Sequence, residues 1–148
     1  MNVRTWLLGF ALLGFSSAAV ALPAHCTPVI GQGWIRAAPP GAKVLAGYAR
    51  LRNPCAKAVQ VTGVGSPDFA MAMMHETVVA NGMSTMRHAP TLGVPAGGSL
   101  VFAPGGRHIM LMNPRRALKP GDKVRITLSL SDGTKLSADF PILRDAPR

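Results

Sequence analysis

The sequence predicts an all-β fold, a single antiparallel sandwich or small barrel. Three observations carry that expectation. Gly and Pro are abundant, at 16 and 13 copies, and they punctuate the chain at close intervals. The apolar runs between them are short and rich in branched residues. None of these runs has the length and caps of a good helix.

The first 21 residues set the compartment. Met1 to Arg4 is a short basic head, and Trp6 to Val20 is an apolar run closing on Ala19-Val20-Ala21. That pattern is a secretory signal peptide, too short to span a bilayer comfortably. Residues 22–148 are then expected as one domain in the periplasm. A lipid anchor on Cys26 is not expected, because His25 stands where an acceptor cysteine needs a small neighbour.

From there the turn signals run Asn53-Pro54, Ser66-Pro67, Asn81-Gly82, Pro95 to Gly98, Pro104-Gly105-Gly106, Asn113-Pro114, Pro120-Gly121-Asp122 and Ser131-Asp132-Gly133. Between them Val44 to Leu51, Ala58 to Val64, Met74 to Val79, Ser99 to Phe102, His108 to Met112, Val124 to Leu130 and Leu136 to Phe140 read as strands. The clearest is the run from Val124, where Val124, Ile126, Leu128 and Leu130 share one face and Arg125, Thr127 and Ser129 the other.

Sixteen Lys and Arg against six Asp and Glu give a formal charge of +10. The cations are scattered singly and aromatics are scarce, so nucleic acid is not an expected partner. A basic exported chain can instead be drawn peripherally to anionic headgroups, or to a partner's acidic face. General solubility is an equally good account of the charge. Two cysteines, Cys26 and Cys55, suit a disulfide in an oxidising compartment. A second metal site at His25 and Cys26 is the alternative.

Every methionine after Met1 (Met71, Met73, Met74, Met83, Met86, Met110 and Met112) falls between positions 71 and 112, together with His75, His88 and His108. A lone methionine would be core filler, whereas a cluster interleaved with histidine points to soft-metal chemistry. In the run after Pro104-Gly105-Gly106, His108, Met110 and Met112 alternate with Ile109 and Leu111. If the aliphatics take the core, imidazole and thioethers face the other way.

A second arm comes from the hairpin centred on Asn81-Gly82, the strongest short hairpin signal. A two-residue loop there places Ala80 opposite Met83, Thr77 opposite Met86 and His75 opposite His88. His75, Met86 and His88 then share one face, provided the register does not slip. Two arms, each with one imidazole and one thioether, can close a site of His75, Met86, His108 and Met110. Neutral soft donors favour Cu(I), one per chain, over hard cations. Zinc would want thiolate or carboxylate, and only Glu76 is near. A blue-copper site needs a cysteine in the cluster, and no nucleophile or paired acids suggest an enzyme.

The spacing His75, ten residues, Met86, twenty-one residues, His108-x-Met110 resembles the periplasmic copper chaperone family PCuAC, or DUF461 type. The flanking words Met74-His75-Glu76-Thr77, Met83 to Arg87, Val94 to Gly98, Pro104 to Met112 and Pro120-Gly121-Asp122 carry the same likeness. Trp34-Ile35-Arg36 and Ala46 to Asn53 look like the family's first strands.

The resemblance implies a cupredoxin-like β-sandwich that binds one Cu(I) near its surface and hands it on. Its implied acceptor is the copper-accepting subunit of cytochrome c oxidase, alongside a Sco-type thiol protein; separately, the chain is expected to be a monomer. A copper buffer or resistance protein without a dedicated acceptor is the alternative function. Some relatives carry a His- and Met-rich C-terminal tail for Cu(II); with Ile142 to Arg148 at that position, a tail site is not expected here. Met74, Met112 and His88 stand beside the motif as spare donors or as packing.

Overall fold

The computed structural model describes residues 26–147, so the expected signal peptide and His25 lie outside the described residues. Among them are ten strands and no helix: β1 (Val29–Arg36), β2 (Val44–Arg52), β3 (Val59–Gly65), β4 (Phe69–Ala80), β5 (Met83–His88), β6 (Leu92–Val94), β7 (Ser99–Phe102), β8 (Arg107–Pro114), β9 (Lys123–Leu130) and β10 (Lys135–Leu143). The neighbours run β5-β4-β8-β2-β1-β10-β9-β3-β6, with β7 also paired to β2. Among the described residues the strand pairings are antiparallel except β1 with β10, which is parallel at Ile35↔Ile142.

This sheet folds over on itself as a sandwich, because one apolar cluster unites residues from distant strands. Ile109 and Leu111 of β8, Met74 of β4, Val61 of β3 and Val124, Ile126 and Leu128 of β9 all belong to it. The alternation expected in β9 is present, with Val124, Ile126 and Leu128 fully buried. The seven expected strands appear, with differences at three places. β4 begins at Phe69 rather than Met74, because the unbroken apolar stretch from Phe69 to Met74 pairs with β8 along its whole length, from Phe69↔Pro114 to Glu76↔Arg107. The short β6 adds to β3. β1, which only the family likeness indicated, carries an irregularity between Gly31 and Trp34.

Two anchors fix the N-terminal arm and the first turn. Cys26 and Cys55 form a disulfide, so the alternative of Cys26 as a metal ligand is not realised. Beside it Asn53 is fully buried, and its amide nitrogen donates to the carbonyls of Lys57 at 2.8 Å and Pro95 at 3.2 Å. Its Oδ1 accepts from the Cys55 amide at 3.1 Å. A buried amide with these partners is costly to remove because the groups it served lose their partners as well. Asn53→Ala is therefore expected to destabilise the fold by about 2 to 3 kcal/mol in urea unfolding; a loss below about 0.5 kcal/mol, the level of an ordinary surface change, would show that the turn does not depend on it.

Candidate metal centre

The expected hairpin is present in its expected register. Asn81 and Gly82 both have positive φ, 52° and 74°, the conformation a two-residue type I′ loop demands. Ala80 faces Met83, Thr77 faces Met86 and His75 faces His88. On its other side β4 pairs with β8, so that His75 faces His108, Met73 faces Met110 and Met71 faces Met112. Directly paired residues share a face. His75, His88, Met86, His108, Met110 and Met112 therefore stand on one side of three neighbouring strands.

The core decides which side. Ile109 and Leu111 are fully buried, so the alternate residues of β8 turn outward, away from the sandwich interior. The same parity separates the spare methionines. Met74 lies on the inner face, is 2% exposed and belongs to the core, so it is packing. Met112 and His88 stay on the donor face. Glu76 also turns away from His75, and it binds Arg87 at 3.0 Å and Arg107 at 3.1 Å. The one carboxylate near the cluster is thus occupied by two cations and is no ligand.

The imidazoles form a row. The His75 ring lies 5.8 Å from that of His108 and 5.9 Å from that of His88, nearly perpendicular to each. Nδ1 of His108 lies 3.1 Å from the carbonyl of Gly106. A carbonyl only accepts, so Nδ1 carries a proton, and in the neutral ring this leaves the lone pair on Nε2. Nδ1 of His75 is buried without a hydrogen-bond partner, an uncommon condition for a polar atom. Burial above all, and then the neighbouring His108 and His88, hold the His75 pKa below its ordinary value. Both effects favour a neutral ring with a free lone pair.

The thioethers differ in access. Met110 is half-buried, whereas Met86, on the edge strand β5, is 62% exposed. Among the described residues no three His, Cys, Asp or Glu side chains are placed to hold a metal together. An ion on this face must therefore take sulfur as well as imidazole, which suits a soft monovalent cation.

A folded-over all-β sheet carrying this row of imidazole and thioether donors defines a PCuAC-type domain of cupredoxin-like fold. The family model of the group described as "Putative lipoprotein LpqE-like" matches residues 29–142, and the chain belongs to that family. It is 34% identical over 149 residues to "Putative lipoprotein Lxx21020" of Leifsonia xyli, covering 95% of this chain and 89% of that one. Among solved structures it is similar to Cu(I)-bound DR1885 from Deinococcus radiodurans, with 33% identity and a TM-score of 0.64, over 86% of this chain and 83% of that one. The copper-bound PCuAC domain from PmoF2 has the same fold at 21% identity and a TM-score of 0.65, over 78% of this chain and 92% of that one.

The arginine clamp on Glu76 joins β5 and β8 to β4 beside the donor row. Hydrogen bonding from Arg87 first, and then the charge of Arg107, hold the Glu76 carboxyl below the ordinary carboxylate range. A carboxyl with a lowered folded pKa contributes above its unfolded pKa and loses that contribution as pH falls through the folded value. Glu76→Gln is expected to speed hydrogen exchange at the β5 amides near neutral pH while leaving β9 unchanged. Wild-type protection in β5 would show that the clamp does not hold the hairpin.

Proposed function

We propose that this chain is a periplasmic Cu(I) metallochaperone that holds one ion with His75, Met86, His108 and Met110. The observation that carries the proposal is the pair of imidazoles 5.8 Å apart, on one face with two thioethers. Two imidazoles on one ion, each bonded at about 2 Å, have ring centres about 5 to 6 Å apart in a tetrahedral set. The tautomer of His108 and the unpartnered Nδ1 of His75 suit that role. The Cu(I) form of DR1885, one-third identical to this chain, supports the choice of metal.

Release proceeds by ligand exchange in this proposal. Met86 is the most exposed of the four donors, and its neutral sulfur gives way first to an acceptor's ligand. The ion then passes on without being free in solution. Delivery to the copper-accepting subunit of cytochrome c oxidase, with a Sco-type thiol protein alongside, is the acceptor route we propose. The excess of basic side chains would speed encounter with an acidic docking face. Export is supported by the leader pattern, by the disulfide and by the lipoprotein names of the relatives.

Native mass spectrometry of the processed chain with Cu(I) is expected to show one ion bound. Met86→Leu and Met110→Leu roughly conserve volume, and each is expected to weaken Cu(I) binding by at least about tenfold, or 1.4 kcal/mol, with the fold intact. Unchanged affinity in both would reduce the methionines to packing. Transfer of Cu(I) to the apo oxidase subunit fragment separates a chaperone from a buffer, which would give up its ion only to generic chelators.

Affinity should also respond to acid. Protons and the ion compete for the same imidazole lone pairs, so binding weakens as pH falls through and below the ordinary histidine pKa of about 6.5. Because the His75 value is lowered, its share of that loss comes at more acidic pH than for a free imidazole. An affinity independent of pH down to the carboxylate range would remove the histidines from the site.

A further inference from the structure

Burial across the imidazole row is graded. His108 is 8% exposed, His75 is half-buried and His88 is exposed. His88 stands on β5, which ends the strand order and whose every residue is exposed. It shares the donor face, and its ring lies 5.9 Å from that of His75, against 5.8 Å for His108.

The gradient poses a problem for release. A ligand from a partner can reach Met86, but it cannot readily reach the bond to buried His108. From these placements we infer that His88 is an exit ligand, which takes the ion from His108 while His75 stays bound and acts as the pivot. The inference rests on the Cu(I) site proposed above. In the step, the bond from Cu(I) to Nε2 of His108 breaks as a bond to an imidazole nitrogen of His88 forms. The metal remains Cu(I), no electron moves, and a proton on that His88 nitrogen, if present, passes to solvent. The ion has then shifted by one strand, to the open edge of the sheet, where an acceptor's donors can complete the exchange.

The test is stopped-flow transfer of Cu(I) from the loaded full chain to excess bicinchoninate, with affinity measured in parallel. His88→Ala is expected to slow transfer about tenfold, equivalent to about 1.4 kcal/mol on the exchange barrier. His88→Met, which restores a soft donor at the edge, is expected to recover most of the rate. Ser84→Ala, on the same strand and face, is the control and should transfer like wild type. Thermal unfolding of each variant confirms the fold. If the wild type binds Cu(I) and His88→Ala releases it equally fast, His88 is a bystander and the exit step is wrong while the site stands. If the wild type binds no Cu(I), the site proposal itself fails and the exit step falls with it.

Discussion

The donor row depends on one constraint: three strands are locked side by side in a single register. Where His88, His75 and His108 pair across β5, β4 and β8 on the outer face, the next pairs on the inner face are Arg87, Glu76 and Arg107. Each donor strand thus contributes one imidazole and one charge in adjacent positions. A slip of one residue in either flanking strand would invert this, sending an imidazole inward and turning out Ile109 in β8 or Arg87 in β5. Three independent features oppose such a slip: the zero exposure of Ile109 and Leu111, the positive φ angles at Asn81 and Gly82, and the two ion pairs on Glu76. Exposed ion pairs add little stability, so the last feature matters more for register than for strength.

Placing donors on an edge strand has a cost that the sequence manages. An edge presents unpaired backbone groups to any other strand that arrives. β5 answers with a short run in which Ser84, Thr85, Arg87 and His88 are polar. Only Met83 and Met86 are large, exposed and apolar there. The open thioether of Met86 therefore sits between polar neighbours, which limits strand addition while leaving the sulfur accessible.

Much of this arrangement is legible in the sequence, for local reasons. Asn81-Gly82 dictates its own turn, and with the turn comes the register of every pair up to His75 and His88. The parity of β8 follows from Ile109 and Leu111, and that of β9 from four alternating aliphatics. What is not legible is non-local or irregular. The meeting of His75 with His108 joins strands separated by the intervening β5, β6 and β7, and only the family spacing points to it. β1 is hidden because Gly31-Gln32-Gly33 interrupts any alternation: Gln32 adopts φ 53°, and a Cβ on Gly33 would lie 2.6 Å from the Phe140 ring. The start of β4 is hidden because six consecutive apolar residues have no period. Glu76 looks like a candidate carboxylate for zinc in the sequence, yet strict alternation from His75 already turns it away.

The same alternation shapes the electrostatics of the donor face. Glu76 lies on the opposite side of the sheet with its charge balanced by two arginines, so no anion faces the donors from these three strands. Imidazole and thioether ligands are themselves neutral. Divalent ions depend on nearby negative charge to offset the water they surrender, and here they would meet a slight excess of positive charge instead. A monovalent soft ion gives up less hydration and gains more from sulfur. The preference for Cu(I) therefore arises twice, from the donor atoms and from the charge placed one residue behind each imidazole. The two origins are physically linked, because the register that aligns the imidazoles is the register that pairs Glu76 with Arg87 and Arg107.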